Sequence, residues 1–209
     1  MSEIGEYTLI LFEDDILELK ELLEMSLNII FFHRNLSNNN YEDAQSKLTN
    51  ITYVKLTNET LSKEIIKIIN DIENNFKNDS QIYGQILTLS FFEKAEKKDN
   101  PWEKWNFILV LSKKEITKKK DELIVDEENK EFDKENKIRE YIFKIIEKLN
   151  DKGNYMPSVN LNDKNLENET FLHKYDTKEI KNEEEYLSLF NNYMQKSQDD
   201  IIIIKIYNY

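Results

Sequence analysis

From Asp14 to His33 the chain is apolar on almost every side of a helix. Ile16, Leu19, Leu23, Leu27 and Ile30 recur at helical spacing, and Leu17, Leu22, Met25, Ile29, Phe31 and Phe32 widen the stripe nearly all round. A helix with no polar face has to be central, so the other elements must be arranged to cover it. The remaining sequence can do this. A chain of 209 residues with 39% hydrophobic content is long enough to fold as one domain over residues 1–209, burying roughly 70% of the surface its unfolded form exposes.

The covering elements are legible in turn. EYTLILF (6–12) reads as a short strand, and ITYVKL (51–56) alternates as a second. Asn58 or Thr57 caps a helix whose Leu61, Ile65, Ile68, Ile72 and Phe76 form one narrow stripe suited to packing on a sheet. GQILTLSFF (84–92) and WEKWNFILVL (102–111) form a β-hairpin joined by a charged connector. Trp105, Phe107 and Leu109 share one parity and Ile108 and Val110 the other, as in a strand covered on both faces.

A third helix is expected from about residue 134 to 152, with Ile138, Tyr141, Ile142, Ile145, Ile146 and Leu149 on a wide stripe and Gly153 as its stop. FLHKY (171–175) reads as a strand and EEEYLSLFNNYM (183–194) as a short helix; in DIIIIKIYNY the β-branched run favours a buried strand. Residues 35–50, including NNN at 38–40, and the acidic run DEENKEFDKEN (126–136) are expected to be solvated loops. The order implies an α+β fold, with three helices packed on a mostly antiparallel sheet that includes a hairpin.

Charge narrows the functions. A net charge of -12 opposes nucleic-acid phosphate and anionic lipid surfaces. No cysteine is present, which removes disulfides and thiolate metal sites and suits a reducing compartment. MSEIGEYTLILFEDD lacks a basic n-region, and its apolar run is too short for a signal peptide or a membrane span. A cytoplasmic protein without direct membrane insertion is expected. Catalytic motifs are missing: there is no H-E-x-x-H, G-x-S-x-G, P-loop or G-x-G-x-x-G, and His33 and His173 read as structural residues at element ends. No catalytic, cofactor-binding or metal-binding residue is expected.

Five segments, in order and spacing, carry a resemblance: NIIFFHR (28–34), ITYVKL with its following helix (51–76), GQILTLSFFEK (84–94), PWEKW (101–105) and KIIEKLNDKGNYMP (144–157). Each is a weak signal, but the ordered combination resembles the autophagy-related protein 101 family of HORMA-domain proteins. The likeness covers about residues 6–157, while 158–209 is poorly matched apart from DIIIIKIYNY.

The resemblance implies a HORMA-like domain and a non-enzymatic adaptor. Such a protein pairs with and stabilises the HORMA domain of autophagy-related protein 13, within the complex around the autophagy-initiating Ser/Thr kinase. It implies a heterodimer acting in autophagosome assembly, at the phagophore assembly site, and a homodimer when the partner is absent. The third helix and its neighbouring surface are implied as the contact, with Arg139, Tyr141, Ile142, Ile145 and Ile146 as candidate partner-binding residues. Trp102, at a strand edge, is a further candidate anchor.

Many family members carry a Trp/Phe-tipped recruitment finger in the hairpin connector. Here the connector is KAEKKDN, shorter and without an aromatic, so the finger is missing, and Trp102 and Trp105 align with the strand behind it. Two other readings stand beside this one: a peptide-binding HORMA regulator of the checkpoint or meiotic type, or a generic α+β domain.

Overall fold

The computed structural model describes residues 5–13, 15–34, 40–78, 83–93, 101–111, 127–151, 171–195 and 201–205. Strand β1 (Gly5–Glu13) leads into helix α1 (Ile16–Arg34), then β2 (Tyr41–Gln45), β3 (Thr52–Leu56), α2 (Glu59–Asn78), β4 (Gly84–Glu93) and β5 (Glu103–Leu111). Helix α3 (Glu127–Asn150), β6 (Phe171–Ile180), α4 (Glu183–Met194) and β7 (Ile201–Lys205) follow.

The main sheet has the order β6-β4-β5-β1-β7. The β6/β4 and β4/β5 pairs are antiparallel, whereas β5/β1 and β1/β7 are parallel. Strands β2 and β3 form a separate antiparallel ribbon. This α+β arrangement matches the expected fold class and is consistent with a HORMA-like domain.

α1 is central, as its composition demands. Leu19, Leu22, Leu23, Met25, Leu27, Ile29, Ile30 and Phe31 are all buried. They share one core with α2, α3 and the inward face of the sheet, where Tyr7, Leu9, Leu11, Leu87, Leu89, Trp105, Phe107 and Leu109 lie. The opposite face carries a smaller cluster of Ile10, Ile86, Ile108, Val110 and Ile180, covered by Tyr186, Leu189 and Phe190 of α4. β5 is therefore buried on both faces, and Trp105 belongs to the core.

The helix starts follow capping chemistry. The Asn58 carboxamide oxygen accepts the Thr60 and Leu61 N–H groups, and Asp15 accepts Leu17 N–H at 2.8 Å. At α4, Asn182 accepts Glu185 N–H while the Glu185 carboxylate returns to Lys181 N–H.

Three readings are corrected. Residues 127–136 of the acidic run are not a loop, because α3 begins at Glu127. Its first turns are made of strong helix formers with no apolar stripe, so periodicity gives no sign of them. The polar stretch 35–50 contains β2, which has little apolar alternation to mark it and forms by main-chain pairing with β3. The isoleucine run does form a strand, but at the sheet edge, where Ile202 is buried and Ile203 is exposed.

Gly84 opens β4, paired with Val110 of β5 on one side and Ile180 of β6 on the other. A Cβ built there would lie 2.7 Å from the Leu109 carbonyl oxygen, a backbone atom that cannot step aside. Gly84→Ala is expected to cost about 1–3 kcal/mol through forced backbone shifts, read as a lower urea midpoint with unchanged slope.

Glu73 joins α2 to α1 by accepting from Lys20 at 2.5 Å, and it also accepts from Lys77 of α2 at 2.7 Å. These hydrogen bonds hold its carboxyl below the ordinary value. The unfolded chain then takes up the proton first, so this contribution is present above the ordinary carboxylate range and fades as pH falls through it. Glu73→Gln is expected to flatten the acid limb of stability between about pH 5 and pH 3, measured by urea unfolding across that range.

Candidate functional site

Helix α3 divides its residues between two roles. Ile138, Tyr141, Ile145 and Leu149 recur at three- and four-residue spacing and face the core; Tyr141 is 2% exposed and Ile145 0%. Ile142 and Ile146 lie half-buried along the border of that stripe, packed against the same core. Arg139 is on the solvent side, where its guanidinium donates to Glu135 one turn earlier, holding the Glu135 carboxyl below its usual range. Beside it stands Phe143, 68% exposed, the most exposed large apolar side chain among the described residues.

Of the α3 candidates, Arg139, Ile142 and Ile146 therefore share an outward strip whose apolar centre is Phe143. Tyr141 and Ile145 are inside. Phe143 lies off the periodic stripe that marks the candidates; its signal in the sequence is an aromatic placed on the otherwise charged face. Exposed aromatics of this kind are the anchors that carry protein–protein binding energy, particularly when charged groups rim them. The rim here is Arg139 with Glu135, and Lys144 with Glu140, each pair one helical turn apart.

Three polar contacts hold α3 on α1. The Lys134 ammonium pairs with the Glu18 carboxylate. The Ser26 hydroxyl and the Tyr141 phenol hydrogen-bond at 2.7 Å in the core, and burial pushes the phenol above its ordinary pKa while the Ser26 bond opposes the shift. Arg34 Nη1 donates to the Leu149 carbonyl at 3.1 Å.

Arg34 is also the centre of a buried network. Its Nε lies 2.8 and 2.9 Å from the two carboxylate oxygens of Glu103, and Trp105 Nε1 donates to the same carboxylate at 2.6 Å. Its guanidinium carbon stands 5.8 Å from the ring centre of Trp102. Trp102 is 9% exposed and packs against Phe91, so in the free chain it belongs to the interior. Arg34 at the end of NIIFFHR and Trp102, Glu103 and Trp105 of PWEKW thus meet in one cluster.

Both histidines sit in structural contacts. His33 donates from Nδ1 to the Ile29 carbonyl, and His173 pairs with Glu64 at 2.7 Å beside the Phe31 ring. Among the described residues no group of His, Asp and Glu is placed to hold a metal ion, and no helix is long and apolar enough to cross a membrane. A surface groove of about 550 Å³ lies between α2, β6 and α4, lined by Asn75, Gln85, Lys178 and Glu185 among others. Its buried Gln85 amide is already committed to the Ile72 carbonyl and Asn75, leaving it little to offer a ligand. The connector 94–100 lies outside the described residues.

Comparison with known proteins gives the lineage. The family model described as autophagy-related protein 101 matches residues 13–163. Autophagy-related protein 101 of Arabidopsis thaliana is 26% identical over 166 residues, covering 68% of this chain and 75% of that protein. The matched region runs from the end of β1 through α3 and so contains the buried Arg34–Glu103 cluster and the outward strip of Phe143. The chain belongs to the autophagy-related protein 101 family.

Proposed function

We propose that this protein is a non-enzymatic adaptor that pairs with the HORMA domain of autophagy-related protein 13 and holds it within the autophagy-initiation kinase complex. The reading draws on family membership, and the observation that carries it is the exposed Phe143 between Ile142 and Ile146 on α3. With the half-buried Ile142 and Ile146 beside it, Phe143 gives a partner an apolar centre to cover. Arg139, with its fixed guanidinium, stands at the rim and supplies orientation. Pairing takes place in the cytoplasm at the phagophore assembly site, and without the partner the same strip drives self-association. The whole chain acts as one HORMA-like domain.

The recruitment step is absent or has moved. Connector 94–100 carries no aromatic residue, and Trp102 and Trp105 are committed to the interior. The adaptor therefore scaffolds without finger-mediated recruitment. A peptide of residues 94–101 that captured downstream autophagy factors would count against this. For the pairing itself, the test is co-expression with the HORMA domain of autophagy-related protein 13 from the same organism, read by size-exclusion chromatography with light scattering. A one-to-one complex is expected; two separate monomers would remove the adaptor reading.

A further inference from the structure

The three polar contacts between α1 and α3 form a series. Glu18, Ser26 and Arg34 are spaced about two turns apart along α1, and Lys134, Tyr141 and Leu149 are spaced about two turns apart along α3. The two helices therefore run in the same direction and match in rise from one contact to the next. The hydrophobic surfaces between them do not define that match. α1 is apolar on nearly every side and α3 presents Ile138, Ile145 and Leu149, and burial of apolar area has no direction of its own. A slip of one turn, about 5.4 Å, that brought Ile142, Ile145 and Leu149 into the places of Ile138, Tyr141 and Ile145 would keep isoleucine and leucine against α1.

Hydrogen bonds are directional, and a buried polar group left unmet is costly. Ser26 and Tyr141 are enclosed, Arg34 is 4% exposed, and the Glu18 and Lys134 side chains are 11% and 15% exposed. One register satisfies all three contacts at once, and any slip or rotation leaves all three broken. The consequence reaches the surface. Tyr141 pointing inward sends Phe143, two residues on, about 200° round the helix into solvent.

We infer that Glu18, Ser26 and Arg34 are positioning residues that set the register and rotation of α3, and so present the Phe143 strip to a partner in a single orientation. The inference rests on the pairing role proposed for that strip. Polar contacts that specify register at little net gain in stability have precedent in buried polar positions of coiled coils.

The test removes two contacts without leaving unmet groups, using the full-length chain with S26A, Y141F, E18M and K134L together and keeping Arg34. Because the chain contains no cysteine, nitroxide labels can be placed on it uniquely through N70C on α2 and K137C on α3, both exposed positions away from the Phe143 strip. Pulsed electron resonance on the labelled unmodified chain should give one narrow distance. The four-residue variant should keep its cooperative melting transition yet give a broadened or shifted distance. Its affinity for the HORMA domain of autophagy-related protein 13 should fall about tenfold, as expected when roughly one molecule in ten holds the competent register.

A distance of unchanged centre and width in the variant overturns the inference. If the four-residue variant does not fold, the S26A/Y141F pair decides by the same distance measurement: broadening upholds the register role, and an unchanged width overturns it. If the unmodified chain does not bind that HORMA domain, the pairing role fails, while the distances still decide whether the contacts set the register.

Discussion

Glu103→Ala is expected to cost about 3–5 kcal/mol of folding stability, because it leaves the Arg34 guanidinium buried without a counter-charge. Arg34 is 4% exposed and Glu103 1%. Neither can turn to water, and the Trp105 indole N–H loses its acceptor in the same step. In a chain of this length the loss would lower the melting midpoint by about 10 °C, measured by calorimetry. The comparison that isolates the cause is the double replacement R34M/E103L. It removes both charges, leaves the Leu149 carbonyl and Trp105 N–H unmet, and should cost less than Glu103→Ala alone. A double variant as damaged as the sum of its singles would show that packing around Trp102, not charge pairing, holds this region.

Phe143→Asp is expected to act in the opposite way. The side chain is two-thirds exposed, so the change in stability should stay within about 0.5 kcal/mol. Affinity for the HORMA domain of autophagy-related protein 13 should fall about thirtyfold or more, the scale of losing a central aromatic anchor. Isothermal titration on the two purified proteins measures it. Tyr141→Asp serves as the contrasting control, because it buries a carboxylate against Ser26 and should unfold the chain before any interface is tested.

The fold was legible where burial leaves a periodic mark. The all-round apolar character of α1 announced a central helix, and the single stripe of α2, the two parities of β5 and the cap at Asn58 appear in the structure where the sequence places them. What stayed hidden carries no apolar pattern. β2 is specified by its main-chain partner β3, and the sequence of the first turns of α3 has no apolar stripe.

The proposed contact strip was legible only in part. Tyr141 and Ile145 are periodic, which is the property that places them in the core. Phe143 departs from the period, and that departure puts it on the surface. The Arg34–Glu103 pair was invisible because nothing local in either segment shows that residues so far apart in sequence share one buried site.

The most direct measurement is amide hydrogen exchange on the full-length chain alone and mixed with the HORMA domain of autophagy-related protein 13. Slowed exchange in peptides spanning Arg139–Glu147, with residues 94–101 unchanged, is the expected result. Protection elsewhere with none on α3, or no protection at saturating partner, would contradict pairing through the outward strip of this helix.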